Sequence, residues 1–303
     1  TGVDNTIIGD NSGQLMTSGS ENTLLGKFSG NANTSGSQNV AIGGLSSQLN
    51  QLGWSNVAVG YQALNSNTTS GNTGVGYRAM HFNTTGIQNV ALGYLALVSN
   101  ISADRNTSIG YLSLENTTGA NNTGLGYSAG NVNTTGTNNT FIGNNANALA
   151  GSTGLTNATA IGSNAVVSQS NSLILGNNAN VGIGTSAPNT QLDVAEDIAF
   201  RELVTTTTTN AISNMAGTAG TSFINFTSQT SNFSIFSIAD GVDGKILRLY
   251  NSTSFNMTVA NDTGNANSIL TMSGGNISTV GTGVITLQYS ANQARWIVVS
   301  IVQ

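Results

Sequence analysis

Apolar residues recur through the first 184 residues in a five-residue motif, Asn-x-x-aliphatic-Gly, that returns every 16 or 17 residues in its regular copies. The motif glycines are Gly9, Gly26, Gly43, Gly60, Gly76, Gly93, Gly110, Gly126 and Gly143, followed by degenerate copies ending at Gly162, Gly176 and Gly184. The residue before the glycine is always Ile, Leu or Val, and the residue two positions earlier is Thr or Val in most copies. This period-two alternation predicts one short strand per repeat.

Each repeat continues with a second apolar segment and a polar turn. The segment at 61–64, Tyr-Gln-Ala-Leu, is typical of the first and predicts another short strand or a bend. The turn is Asn-Thr-Thr-Gly or a close relative, as at 83–86, where Asn and Gly tolerate left-handed conformations. A unit this small cannot bury its own aliphatic residues, so the pattern predicts a β-solenoid of about ten stacked coils, roughly 50 Å long.

Two side-chain ladders are predicted from residues that recur at one phase of the coil. The Asn residues that open the motif are expected to stack, and they are Asn5, Asn22, Asn39, Asn56, Asn72, Asn89, Asn106, Asn122 and Asn139. A second ladder is expected from Tyr61, Tyr77, Tyr94, Tyr111 and Tyr127. A structural role is favoured over direct ligand contact for these tyrosines.

A row of small residues occupies the centre of the motif, between the two alternating aliphatic positions. Its members are Ala41, Ala58, Gly74, Ala91, Ser108, Gly124 and Ala160. We expect this row to face away from the core of its own coil and to allow close approach of another chain. A homotrimer is the natural arrangement for a fibre with one axis, although spacing alone does not count the chains.

Beyond Pro188, the only proline, the pattern changes. The segment LDVAEDIAFREL at 192–203 predicts a neck, either a helix or coiled trimer neck or a β-strand, and 205–209 an extended segment or linker. From about residue 210, alternating apolar runs separated by Gly, Asn and Asp predict a β-sandwich, jelly-roll-like in form. The resulting division is a shaft at 1–184, a connector at 185–209 and a C-terminal β domain at 210–303.

Composition narrows the class of protein. Only 6% of the 303 residues are charged, and the net charge is -5 with seven Lys or Arg. No basic patch is present for nucleic acid, and no run of 18 apolar residues for membrane insertion. The absence of Cys removes disulfides and thiol chemistry. The 38% of hydrophobic residues at fixed positions argues against disorder.

Candidate catalytic and metal-binding residues are few. His81 is the only histidine and Cys is absent, so Ser/His/Asp and Cys/His arrangements are disfavoured, as is a His-based metal site. Asp104 and Glu115 are the most plausible carboxylate pair for glycan cleavage, but they fall at different phases of the coil. Asp240 and Asp243 form a candidate Ca²⁺ loop, for which a plain β-turn is the favoured alternative. No catalytic residue and no cofactor is predicted.

Surface recognition has weaker candidates. Trp54, in the unusual turn QLGWSN, is a possible ligand contact, whereas Trp296 lies in an apolar strand and is expected in a core. Glycosylation sequons occur at Asn67, Asn83, Asn116, Asn225, Asn251 and Asn276, in a chain so rich in Asn and Thr that chance explains them. Ice binding, known for flat Thr-rich solenoids, is disfavoured because Thr and Val alternate unevenly.

The copies NVAIG, NVAVG and NVALG resemble the head repeats of trimeric autotransporter adhesins, and the longer repeat with Asn-Thr-Thr-Gly is similar to repeats of phage tail fibres and bacterial surface fibres. VGIGTSAPNTQLDVA at 181–195 is similar to a connector of phage-type fibres. Over roughly residues 1–200 the resemblance implies a left-handed parallel β-roll in a homotrimeric fibre, on a virion or at a cell surface. No autotransporter anchor and no self-cleaving chaperone domain is evident in the sequence.

The sequence thus predicts a structural fibre for attachment, not an enzyme, in which the C-terminal domain contacts a cell-surface glycan or protein receptor. Its partners are expected to be copies of itself and other virion or surface-fibre proteins, without nucleic acid or membrane insertion. The alternatives are a cellular adhesin or extracellular filament subunit, and a glycan-cleaving tailspike.

Overall fold

The computed structural model describes residues 2–195, 202–205, 209–212, 215, 222–239, 241–261, 267–271 and 273–302. In this part of the chain all regular structure is β and no helix occurs. The chain divides into two compact units, Thr1–Ala195 and Glu196–Gln303.

The strands of the first unit are short and follow the repeat. They are β1 (Thr6–Ile8), β2 (Thr23–Leu25), β3 (Val40–Ile42), β4 (Val57–Val59), β5 (Thr73–Val75), β6 (Val90–Leu92), β7 (Thr107–Ile109), β8 (Thr123–Leu125), β9 (Thr140–Ile142), β10 (Asn147–Ala148), β11 (Thr159–Ile161), β12 (Val166–Val167), β13 (Leu173–Leu175), β14 (Val181–Ile183) and β15 (Leu192–Val194). Eleven of them, β1 to β9 with β11 and β13, form one parallel sheet in chain order.

Each coil adds one strand to this sheet, in register with the strand before it. Thr23 lies opposite Val40, and Ala58 lies opposite Gly74 across the 16-residue step. A parallel sheet in which sequence neighbours are spatial neighbours is the geometry of a β-solenoid, as the repeat predicts. The last copy differs, because β14 pairs with β15 and lies outside the 11-stranded sheet.

The second segment of each repeat forms turns in coils 1 to 8. Residues two and four positions after the motif glycine take left-handed conformations, with φ of 57° at Gln62 and 49° at Leu64. Leucine rarely adopts this region because its Cβ approaches the following carbonyl oxygen, so the coil must hold it there by packing. Leu64 is fully buried, which supplies that packing.

The small residues of the motif point into the coil, so the prediction that they face away from its core is wrong. Ala41, Ala58, Gly74, Ala91, Ser108, Gly124 and Ala160 are all buried. Period-two alternation defines two faces of a strand but not which one is interior. In most coils a large side chain from the turn segment, such as Leu64, fills the interior and leaves room for only a small residue on the strand, whereas Leu24 and Phe141 fill it from the strand itself.

Large and small residues alternate across neighbouring coils to fill that interior. A Cβ added to Gly74 would lie 3.1 Å from Leu64 Cγ of the preceding coil, and one added to Gly130 would lie 2.6 Å from Phe141 Cδ2 of the following coil. Leu24 and Phe141 on the strand therefore follow turns that carry glycine, whereas the large turn residues Leu64, Met80, Leu97 and Leu114 precede strands with a small residue. Such complementarity gives close packing without voids.

Exchanging one such pair tests the packing rule. Phe141→Ala is expected to destabilise the solenoid by about 3–5 kcal/mol, since it opens a cavity. Adding Gly130→Leu should recover part of that loss, because Leu already occupies the same left-handed turn position at Leu114, whose flexible Cδ2 lies 2.6 Å from the added Cβ and must rotate away. Denaturation midpoints of wild type, both single variants and the double variant measure the coupling. Additive effects of the two substitutions would contradict the rule.

The second unit contains two sheets. Its strands are β16 (Glu202–Thr205), β17 (Ala211–Ile212), β18 (Phe223–Phe226), β19 (Phe233–Ile235), β20 (Ile246–Asn251), β21 (Met257–Val259), β22 (Ile269–Leu270), β23 (Ile277–Ser278), β24 (Gly283–Ser290) and β25 (Arg295–Val302). The six-stranded sheet has the order β16-β18-β20-β24-β25-β22, and the four-stranded sheet has the order β17-β19-β21-β23. Buried residues of both sheets form one hydrophobic cluster around Trp296.

The pairing in this unit corrects the jelly-roll prediction. From β16 to β21 successive strands alternate between the two sheets, and β16, β17, β18 and β19 each pair in parallel with the strand two positions later. A jelly roll has antiparallel neighbours; among the described residues of this unit, antiparallel pairing joins β23 to β21 and β24 to β20 and β25, with one isolated bridge between Ser237 and Ser268. In the predicted neck, the described ends at 192–194 and 202–205 are strands, and residues 196–201 lie outside the described residues.

Candidate interaction surface

The outer face of the 11-stranded sheet carries two uncharged columns of side chains. One column is Thr6, Thr23, Val40, Val57, Thr73, Val90, Thr107, Thr123, Thr140, Thr159 and Leu173. The other is Ile8, Leu25, Ile42, Val59, Val75, Leu92, Ile109, Leu125, Ile142, Ile161 and Leu175. Every member is half-buried or exposed. We call this surface the outer sheet face.

Both columns of the outer sheet face are continuous because all eleven strands run in parallel and in register. Its second column exposes aliphatic carbon along the whole sheet, with Leu92 at 38% and Leu125 at 44% exposure. Scattered exposed leucines are normal on protein surfaces, but a continuous apolar row marks an interaction site. The contact between chains that the sequence placed on the small residues therefore has its candidate here instead.

The motif asparagines lie directly above one another inside the coil. The Asn89 backbone N–H donates to Asn72 Oδ1 at 3.0 Å, and Asn89 Oδ1 accepts from the Asn106 backbone N–H at 2.9 Å. The Asn89 Nδ2 also donates to the Ala103 carbonyl oxygen at 2.9 Å. This arrangement repeats from Asn5 to Asn139, where the Ala158 N–H donates to the last Oδ1 at 2.8 Å.

A second column of buried asparagines comes from the turns. From the sequence, these residues were predicted only to form the turns. Its members are Asn33, Asn50, Asn67, Asn83, Asn100 and Asn133. Asn100 Nδ2 donates to Asn83 Oδ1 at 2.8 Å, and the Asn100 side chain also bonds Ala103 at both backbone atoms. These asparagines recur at the same phase of the repeat, and that recurrence could have predicted the second column. Because Asn67, Asn83 and Asn251 are buried, their glycosylation sequons are not accessible.

The five tyrosines form a stack on the outside of the coil. Adjacent ring centroids lie 5.9, 5.0, 4.9 and 5.4 Å apart from Tyr61 to Tyr127, and the rings are inclined by at most 15°. Each ring remains exposed, with Tyr77 least so at 39%. The stack follows from the coil spacing, which sets neighbouring side chains at the distance that offset aromatic rings prefer.

The remaining candidates do not assemble into a catalytic site. Asp104 Oδ1 accepts the Ile87 backbone N–H at 2.8 Å, and in this fully described stretch no hydrogen bond joins it to Glu115. His81 is buried against Phe82, and burial lowers the pKa of its imidazole. Asp243 Oδ1 accepts the Ala291 N–H, while Asp240 lies outside the described residues. Within the described residues no three metal-ligating side chains come together.

The two tryptophans differ as the sequence predicts. Trp54 is 59% exposed on a turn of the solenoid, and its backbone N–H donates to Ser70 Oγ. Trp296 is fully buried, and its Nε1 donates to the Ile238 carbonyl oxygen at 2.9 Å. In the C-terminal unit a shallow groove of about 330 Å³ is lined by Asp243, Gln288, Tyr289 and Val299.

Comparison with known proteins identifies no relative: no protein-family model, no curated protein and no solved structure matches the chain. Among the described residues there is also no helix with the length and apolar character needed to cross a bilayer. The functional argument therefore rests on the geometry of the surfaces described above.

Proposed function

We propose that this protein is a structural fibre for attachment, in which three copies associate through their outer sheet faces. The single observation that carries the proposal is the uninterrupted apolar column of the outer sheet face. A closed symmetric assembly covers this face on every copy. For a solenoid, three chains around one common axis achieve that coverage. The left-handed β-roll and the homotrimer implied by the sequence resemblance belong to this proposal.

The charge distribution supports self-association. Neither column of the outer sheet face contains a charged side chain, so identical copies can meet there without repulsion. Burying aliphatic surface contributes about 25 cal/mol per Å², and the cost of unpaired buried charge is absent. Around a threefold axis, the uncharged face of one copy meets the same uncharged face of the next copy.

Attachment is assigned to the C-terminal unit, where the groove beside Asp243 is the candidate contact for a cell-surface glycan or protein receptor. It combines a carboxylate, an amide, an aromatic ring and an exposed Val299 side chain. A few polar groups among apolar ones are typical of ligand sites. The fibre would then stand on a virion or a cell surface together with other fibre proteins; a cellular adhesin or filament subunit is the alternative setting.

The contact is tested by placing charge on it. Val57→Glu with Val90→Glu is expected to weaken association about a hundredfold or more, since unpaired buried carboxylates cost several kcal/mol. Ser35→Glu with Ser102→Glu adds the same charge at exposed turn positions and should leave the mass of the assembly unchanged. Sedimentation equilibrium measures both. Equal masses for the two double variants would contradict the assignment of the contact to this face.

Ice binding is the second candidate for the same face, because seven of its eleven rungs carry Thr beside an aliphatic residue. A face that binds ice stays uncovered in solution, so a monomer that produces thermal hysteresis would favour this alternative. A glycan-cleaving tailspike lacks support from the separated Asp104 and Glu115. Release of oligosaccharide from host polysaccharide would nevertheless contradict the fibre proposal.

A further inference from the structure

The tyrosine stack ends at a glycine that the backbone does not require. The column of residues directly after the motif glycine runs Asp10, Lys27, Gly44 and then Tyr61. Gly43 takes a φ of 124°, a conformation that favours glycine, whereas the φ of Gly44 lies outside the left-handed region. Local backbone conformation therefore does not explain why glycine occupies position 44.

A side chain would fit at Gly44 without displacing its neighbours. A Cβ built there would lie 3.4 Å from Tyr61 Cδ2 and 3.6 Å from Tyr61 Cε2, which is ordinary van der Waals contact. The next atom is the Lys27 carbonyl oxygen at 3.9 Å. Glycine thus leaves open a position at which a ring would continue the stack.

The open position exposes one face of the Tyr61 ring. Tyr77 covers the other face at a centroid distance of 5.9 Å, and no ring covers the Gly44 side anywhere in this fully described part of the chain. Neighbouring rungs of the stack lie about 5 Å apart. Gly44 lies one coil from Tyr61 and Lys27 lies two coils from it, so one six-membered ring fits between Tyr61 and the coil of Lys27.

Polar side chains occupy the two preceding positions of the same column. Lys27 Nζ lies 3.5 Å from Asp10 Oδ2, and both side chains are about two-thirds exposed. Lys27 is one coil and Asp10 two coils beyond the open position, and the pair offers a hydrogen-bond donor and an acceptor without net charge. Lys27 Nζ also lies 5.3 Å from the centroid of the Phe28 ring. Hydroxyl groups bond to both members of such a pair, whereas an unsubstituted aromatic ring bonds to neither.

We propose that Gly44, Tyr61 and the Lys27–Asp10 pair form a binding slot for one neutral pyranose ring of a glycan. The apolar face of the sugar stacks on Tyr61 through its C–H groups, and its hydroxyls reach the ion pair. The slot lies on the solenoid, apart from the groove of the C-terminal unit, and it does not rest on the proposed trimer.

Saturation-transfer NMR with methyl β-D-glucopyranoside tests the slot. We expect saturable transfer to the C–H protons of the sugar with wild-type protein, and loss of that signal in Gly44→Tyr, which fills the slot with a sixth stacked ring. Tyr61→Leu, which keeps apolar bulk but removes the ring, should also lose it. Asn144→Tyr adds the same residue beyond Tyr127 and should retain the signal.

The controls make each outcome decisive. An unchanged thermal unfolding midpoint in Gly44→Tyr separates a filled slot from a damaged coil, and sedimentation on the same samples reports assembly independently. Equal transfer in wild type and Gly44→Tyr would overturn the proposal. Saturable transfer to phenol without any to the pyranoside would overturn the assignment to sugar, because the slot would then take an aromatic ring.

Discussion

A Gly43→Ala variant is expected to lose about 3 kcal/mol or more of solenoid stability. The added Cβ would lie 2.6 Å from the Gly60 carbonyl oxygen and 2.7 Å from its carbonyl carbon, both atoms of the next coil's backbone. The φ of 124° adds strain for any residue with a Cβ. Because the motif glycines from Gly9 to Gly143 all repeat this contact, the backbone at Gly43 cannot shift without disturbing the neighbouring coil. Urea denaturation followed by far-UV circular dichroism measures the loss.

Gly44→Ala is the matched control, since it makes the same chemical change one residue away. Its Cβ meets only ordinary contacts, and reducing the freedom of the unfolded chain contributes about 0.4–1 kcal/mol in its favour. We expect a neutral or slightly stabilising effect. Similar losses in the two variants would show that close coil stacking is not what requires the motif glycine.

An Asn89→Ala variant is expected to lose about 2–4 kcal/mol. Removing the amide leaves the buried Asn106 N–H without its acceptor and the buried Asn72 Oδ1 without one donor. Each unsatisfied buried polar group costs about 1–3 kcal/mol. Water has no access to replace these bonds, because Asn72, Asn89 and Asn106 are all fully buried. Thermal and urea unfolding midpoints check the size of the loss.

Asn116→Ala supplies the comparison for the ladder. Asn116 is exposed, and its Nδ2 makes one hydrogen bond to the Asn131 carbonyl oxygen. Losing such an exposed bond should cost less than about 1 kcal/mol, since water takes its place. A loss at Asn89 no larger than that at Asn116 would contradict a structural role for the buried amides.

The solenoid could be predicted from the sequence because its repeat is also its spatial period. A residue at one phase, such as Asn89 or Tyr94, must lie beside its counterpart in the next coil, whatever the details of the turn. The direction in which the strand faces was not predictable in the same way. It depends on contacts between different phases of neighbouring coils, such as Leu64 with Gly74, and no single repeat contains them.

The C-terminal unit shows a different limit. Alternating apolar residues located strands such as β18 and β20, but alternation is the same in parallel and antiparallel sheets. Pairing of Ile224 with Leu249 in parallel depends on how the chain crosses between the two sheets through β19. The sequence placed the contact between chains on the wrong face of the strand for a related reason. The inner and outer faces of the solenoid strand both carry apolar residues, so the pattern alone does not distinguish them.

Sedimentation equilibrium of the unmodified chain at micromolar concentration tests the central claim most directly. Coverage of the outer sheet face by copies of the chain predicts a single species of about three times the 30.8 kDa chain mass. A dimer would retain self-association and contradict the threefold arrangement. A monodisperse species at the mass of one chain would contradict the account, because the apolar outer sheet face would then stand uncovered in solution.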